Sequence, residues 1–288
     1  MHRPTAAALL LVLSACGGGA DRPADQPSTP AVVPPPVVSF TATDFGFEGP
    51  DTIAPGFTTI RLVNKGPQEH HLILTRLADG KTLDTLMAFF QKTPNDVPPF
   101  ATWHGASNSV MAGDSSGSTV DLPAGRYALL CFIPDPADGA PHLVKGMTRE
   151  LIVAGTPTGA TTPTASGELR LKDLGYTMPA WTAGTQTIHV VNDGPQIHEA
   201  QLFRLEPGKT AKDYMATAVP GYEGPQAGVP LGGSGALGPG LDNYWSVTLA
   251  PGNYLLMCYV PGPDGKPHIM SGMIQEFTIP APASAPAS

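Results

Sequence analysis

The 288-residue sequence predicts an all-β protein built as two tandem domains, each a sandwich or barrel. Three observations carry that expectation. Gly and Pro number 33 each and punctuate short apolar runs, and no long segment has helical periodicity. Residues 60–82 (IRLVNKGPQEHHLILTRLADGKT) align without gaps to residues 188–210 (IHVVNDGPQIHEAQLFRLEPGKT), identical at 13 of 23 positions. Residues 125–147 (GRYALLCFIPDPADGAPHLVKGM) return at 252–273 as GNYLLMCYVPGPDGKPHIMSGM. A repeat spacing of about 127 residues lies far beyond the solenoid range and signals whole domains. Units of about 115 residues can each bury a core.

Taken in order, the chain opens with Arg3 and an apolar run from Ala6 to Leu13, too short to span a bilayer and suited to a secretory signal over 1–15. Leu13-Ser14-Ala15-Cys16 looks like a bacterial lipobox, in which Cys16 is the lipidated residue. Residues 16–37 then form a Pro-rich tether. In the first domain, 38–154, strands are expected at Val37–Thr43, Phe57–Asn64 and His71–Leu77. A short helix is expected over Thr82–Lys92, N-capped by Thr82, with Pro94 ending its neighbourhood. A glycine- and serine-rich excursion runs to Val120. Arg126–Ile133 is the strand that delivers Cys131, and Arg149–Val153 closes the sheet. After a linker of small residues and Pro (155–167), the second domain, 168–280, repeats the order. Its helix is expected at Thr210–Ala218 and its loop excursion at Gly221–Gly240. Residues 281–288 read as a disordered tail.

The chemistry lies in the second repeated segment. Each copy places one Cys, one His and one Met in the order C…H-x4-M, as Cys131, His142 and Met147, then Cys258, His268 and Met273. An upstream His stands at matching positions, His70 and His198. Thiolate, imidazole and thioether are soft or borderline ligands that suit copper better than magnesium or calcium. With Cys16 assigned to lipid, each domain keeps one Cys and has no internal disulfide partner. In an exported protein such a thiol calls for protection, and metal ligation supplies it. Period-2 geometry puts Tyr127, Leu129 and Cys131 on one strand face, and Tyr254, Leu256 and Cys258 likewise.

These repeats resemble cupredoxins, the family of plastocyanin, azurin and the type 1 domains of nitrite reductase. The resemblance covers nearly all of both domains. Its most specific part is G-x-Y-x-x-x-C followed by H-x-x-x-G-M: Gly125, Tyr127, Cys131, His142, Gly146 and Met147, then Gly252, Tyr254, Cys258, His268, Gly272 and Met273. The upstream Asn-x5-His, Asn64 with His70 and Asn192 with His198, is also plastocyanin-like. The family implies a Greek-key β-sandwich holding one type 1 copper per domain, up to two, through two His nitrogens, a Cys thiolate and an axial Met. Two departures weaken the expectation of a rigid site. The Cys-to-His loop is ten residues in the first domain and nine in the second, longer than the two to eight familiar in the family. The residue after the upstream His, often an Asn that steadies the thiolate loop, is His71 or Glu199.

The remaining polar residues point less sharply. His104 is expected on a surface loop, His189 facing solvent, and His71 on the strand face opposite His70. With Leu130 and Met257 before the cysteines, no H-x-H pair and few spare histidines, the sequence predicts no enzyme. A formal charge of −8 argues against a nucleic-acid partner. The expected function is one-electron transfer with redox protein partners in the cell envelope, the protein lying on the periplasmic side or outer surface, lipid-anchored at Cys16. The alternatives are Cu(I) storage or delivery, and a metal-free interaction module.

Overall fold

The computed structural model describes residues 31–94, 96–218, 222 and 224–281. The signal segment, Cys16, nearly all of the tether before Val32 and the tail after Ala281 lie outside the described residues. In the first half the elements are β1 (Val37–Thr43), β2 (Gly46–Glu48), β3 (Thr52–Ile53), β4 (Gly56–Asn64), β5 (His70–Leu77) and α1 (Leu83–Lys92). They are followed by β6 (Ala101–Val110), β7 (Ser115–Leu122), β8 (Gly125–Leu130) and β9 (Thr148–Val153). The second half repeats them as β10 (Gly167–Lys172), β11 (Gly175–Thr177), β12 (Gly184–Asn192), β13 (His198–Leu205) and α2 (Ala211–Thr217). Then come β14 (Gly228–Leu237), β15 (Asp242–Leu249), β16 (Gly252–Met257) and β17 (Ile274–Ile279). Both helices begin where a threonine can cap them. Thr82 Oγ1 accepts from the Thr85 amide, and Thr210 forms a reciprocal capping box with Asp213.

The fold is an all-β, cupredoxin-like sandwich. In each half a parallel pair, β1 with β4 and β10 with β12, lies in one sheet, and the strands that lead into the cysteines, β8 and β16, lie in the other. One core packs Phe40, Ile60, Leu72, Leu129, Cys131 and Met147 together. A second packs Leu169, Ile188, Trp245, Leu256, Cys258 and Met273. The opposite faces of the cysteine strands point the other way, Ala128 and Leu130 toward α1, and Leu255 and Met257 toward α2. The alternation expected from period-2 geometry is therefore present in both copies.

The halves are joined edge to edge. The sheets run continuously through both, in the orders β11-β10-β12-β15-β7-β4-β1-β2 and β17-β16-β13-β14-β6-β5-β8-β9-β3. At the first seam Trp245 pairs with Ser118, and at the second Ser234 pairs with Ser107. Both pairs join positions 127 residues apart, so a local two-fold axis passes through the seams. Edges that would be open templates for other chains are thereby closed.

This seam corrects the expected loop excursions. The segments before Val120 and Gly240 are mostly strand: β6 and β7 in the first half, β14 in the second. Their glycines and serines answer crowding rather than looseness. Gly105 and Ala106 have φ 79° and 83°, and Gly232 and Gly233 have 88° and 135°, where the register of β6 against β5 and of β14 against β13 is irregular. A Cβ on Gly235 would lie 2.7 Å from Ile73 Cδ1 across the axis. His104 is corrected with them: it sits on β6, 7% exposed, with its ring edge-on to Tyr127. The linker is tied along its length, with the amides of Thr158, Thr161 and Ser166 donating to the carbonyls of Pro55, Val33 and Thr187.

Gly233 sets a direct test of how closely the seam strand β14 packs on its neighbour β13. A Cβ there would stand 1.9 Å from the Ala200 carbonyl oxygen, on a backbone that L side chains rarely adopt. Gly233→Ala is expected to cost about 3 kcal/mol or more in urea unfolding. An unchanged midpoint would contradict the close approach of β14 to β13 described here.

Candidate metal centres

Each candidate ligand is placed by backbone bonding that repeats in both halves. His70 opens β5, and Cys131 follows the last residue of β8, one position beyond the strand. His142 opens a 3-10 turn, His142–Lys145, that Gly146 ends in the left-handed conformation at φ 104°. Met147 comes next, its amide donating to His142 O at 3.0 Å and its carbonyl accepting from Cys131 N at 3.3 Å. Leu143 N donates to Cys131 O at 2.8 Å. The second half has the same bonds: Met273 N to His268 O, Cys258 N to Met273 O, and Ile269 N to Cys258 O. Gly272, at φ 101°, ends its turn.

The structure brings His70, Cys131 and His142 together, and His198, Cys258 and His268 together, with the ligand atoms of each trio within 4.8 Å of one another. Met147 and Met273 are wholly buried in the same cores as their cysteines. His70 Nδ1 stands 3.1 Å from His142 Nδ1, and Cys131 Sγ stands 3.5 Å from His142 Nδ1. In the other half the values are 3.1 and 3.4 Å. Ligand bonds of about 2.0 Å to nitrogen and 2.3 Å to sulfur, opening at roughly 100–110°, span such separations.

The outward nitrogens decide the tautomers. His70 Nε2 faces Asp44 Oδ1 at 2.6 Å and His198 Nε2 faces Asp173 Oδ1 at 2.8 Å. His142 Nε2 faces Gln68 Oε1 at 3.0 Å and His268 Nε2 faces Gln196 Oε1 at 3.1 Å. Each partner is an acceptor, so Nε2 carries the proton and the Nδ1 lone pairs converge inside. Such outer partners fix ring orientation and raise ligand basicity. Sequence reasoning missed all four. A signal was present, since Gln68 and Gln196 share the repeated G-P-Q-x-H, and Asp44 and Asp173 share a D-x-G-aromatic pattern.

The repeated Asn and Gly of that loop are accounted for as well. Asn64 Nδ2 donates to the carbonyls of Gln68 and Val110, while its Oδ1 accepts from Gly66 N. Asn192 does the same with Gln196, Leu237 and Gly194. A Cβ on Gly66 would lie 2.6 Å from Asp44 Oδ1 and 2.7 Å from His70 Nε2, and Gly194 is equally confined by Asp173 and His198. Only glycine leaves room for the His–Asp pair.

The two departures from the cupredoxin pattern do not loosen the sites. The extra loop residues form a closed hairpin, pinned where Pro134 bridges Pro141 and Pro261 bridges Pro267. His142 N and His268 N donate back to Ile133 O and Val260 O. His71 is buried, and its Nε2 accepts from Phe132 N at 2.6 Å. Glu199 Oε1 accepts from Tyr259 N at 2.8 Å. Both therefore hold the residue that follows the cysteine. His189 is partly exposed, stacks on Tyr244 and faces Asp242 at 2.7 Å.

Burial sets the protonation states. It pushes the Cys131 thiol up to about 12, even though the His71 and Ile133 amides point at its sulfur, and raises Cys258 in the same way. Burial, then the neighbouring His70, lowers His142 to about 4. Burial also lowers His70 and His268. The metal-free site of the first half is thus a neutral thiol between neutral imidazoles. Binding a cation as thiolate would release the thiol proton.

No protein-family model and no curated protein matches this chain. Solved structures do. Reduced auracyanin from Roseiflexus castenholzii is 20% identical, with the match covering 43% of this chain and 100% of that one at a TM-score of 0.28. A blue copper oxidase from Nitrosomonas europaea is 16% identical over 78% of this chain and 79% of its own, at 0.25. A copper nitrite reductase from the same organism is 14% identical over 85% and 93%, at 0.23. The likeness is one of fold. It corrects the expectation of no enzyme, because the structures matched over most of this chain are oxidases and nitrite reductases.

Two tests follow from this geometry. Asp44→Asn and Asp173→Asn should each lower metal affinity at their own site by about 10- to 100-fold in competition titrations. An unchanged affinity would contradict the orienting role of the carboxylates. The metal-free protein should also lose stability as pH falls from about 6.5 to about 4. His142 and His104 titrate near 4 and His71 near 3 when folded, so the unfolded chain binds more protons in that window. Glu199, raised to about 7 by burial, and Glu69, also raised by burial, act oppositely but are outnumbered, since burial lowers His70 and His268 as well. The expected loss in urea unfolding is about 3 kcal/mol or more, and a flat profile would refute it.

Proposed function

We propose that the chain is a copper protein carrying one-electron transfer, with one type 1-like site in each half. The observation that supports this most is the doubled constellation itself: two imidazole lone pairs and a thiol converge in a dry core beside a buried thioether, in the same register twice. Copper held by His70, Cys131, His142 and Met147, and by His198, Cys258, His268 and Met273, would supply one-electron redox chemistry. The chain's own part is to hold the ligands in place in either oxidation state. Asp44, Gln68, Asp173 and Gln196 fix the rings, and the closed hairpins fix the thiol loops.

A surface for redox partners fits the same reading. Val144 and Met270, at equivalent places two residues beyond the His ligand, are 68% and 67% exposed. Each offers an apolar contact beside its site. Cys16 as a lipid anchor would hold the protein at a membrane of the cell envelope, with several acyl chains giving stable attachment. The tether would let the sites reach partners.

Titration with copper under controlled redox conditions tests the central claim. Two equivalents of Cu(II) should bind per chain and produce an intense thiolate-to-copper absorption band. Cys131→Ser should remove the contribution of one site, and Cys131→Ser with Cys258→Ser should remove all of it. Colourless binding of Cu(I) alone would favour storage or delivery, and no binding would overturn the copper reading. Anchoring is tested separately: Cys16→Ala should move the protein from membranes to the soluble fraction.

A further inference from the structure

The residues that hold the two thiol loops meet at the seam between the halves. Phe132 N, the amide next to Cys131, donates to His71 Nε2. With that nitrogen accepting, the proton of the neutral ring sits on Nδ1, and the Asn108 side chain is the polar neighbour that favours it. Asn108 Nδ2 donates to Glu199 Oε2 at 3.1 Å and to Ser234 O at 3.2 Å. The other oxygen of Glu199 accepts from Tyr259 N, the amide next to Cys258. Asn108, His71 and Glu199 are 2%, 7% and 6% exposed. One buried run of polar groups thus connects the two cysteine loops, hydrogen-bonded at Phe132–His71, Asn108–Glu199 and Glu199–Tyr259.

The symmetry of the repeats makes Asn108 singular. Its counterpart 127 positions on is Gly235, which the Ile73 side chain keeps small. Only one amide fits on the axis, and it lies within reach of both halves. Its two partners differ accordingly. A donor ring, His71, meets its carbonyl side, and an acceptor carboxylate, Glu199, meets its NH2 side. With one N–H of Asn108 committed to Ser234 O and one lone pair of Oδ1 to Ser109 N, a single donor place and a single acceptor place remain, which suits one glutamate and one histidine rather than two of either.

We propose that Asn108 is a shared positioning residue for both candidate metal centres, tying the two thiol loops so that each site's order depends on the other. This rests on the metal-site reading above, yet its core is testable without metal. A residue of the first half should then govern a site in the second, whose ligands it does not touch.

The test combines two readouts on Asn108→Leu, with Asn108→Ala as the smaller variant should the first fail to fold. In the metal-free protein, amide exchange at Phe132 and Tyr259 should both accelerate about tenfold or more. Core amides of Leu62 and Val190 should stay unchanged. In Cys131→Ser and Cys258→Ser backgrounds, which leave one site each, Asn108→Leu should weaken Cu(II) binding about tenfold or more and shift the thiolate band at both sites. Acceleration at Phe132 alone, or a change confined to the first site, would overturn the proposal, as would uniform acceleration of all amides. A parent protein that takes up no copper would sink the functional reading, while the exchange experiment would still decide the role of Asn108.

Discussion

Two imidazole nitrogens held 3.1 Å apart with their lone pairs facing inward are the constraint on which each half depends. Left alone, such nitrogens would repel or turn toward water. They stay because the outer nitrogen of each ring is committed to Asp44, Gln68, Asp173 or Gln196, and because the inner side is sealed by core residues. The Asn that folds the G-P-Q loop, the glycine that makes room for the His–Asp pair and the left-handed glycine before the Met all serve this arrangement. The thiol completes it, and its raised pKa is the cost of the same dryness.

The pairing of the halves follows a second constraint. Each repeat by itself would leave two sheet edges open, and the seam closes them on each other around a local two-fold axis. Strands that pass so close cannot carry large side chains, which is why Gly105, Ala106 and Ser107 of β6 and residues 232–236 of β14 are small. A symmetric seam nonetheless has room for only one side-chain amide at its centre. The repeats diverge there, with His71 against Glu199 and Asn108 against Gly235, although the ligands themselves are repeated faithfully.

Much of this was legible in the sequence. The repeat register, the C…H-x4-M order, the capping threonines and the period-2 cysteine strands are local signals, and local physics makes them reliable. Within each half the spacing of the motif brings the candidate residues together, because short turns between fixed strand ends leave the backbone few choices.

What only the tertiary structure decided are features formed between segments distant in the chain. The glycine- and serine-rich stretches read as loops because their reason for being strands is another strand packed against them. His104 read as exposed for the same cause. Asp44 and Asp173 become ring partners only when β1 and β10 lie beside their sites. His71 and Glu199 read as departures from a pattern until Asn108, from a third strand, joins them. Sequence alone determined which atoms could bind a metal and in what order. Folding decided which of them are dry, which way their lone pairs point and that the two sites share a wall, because burial and orientation belong to contacts between segments rather than to any one of them.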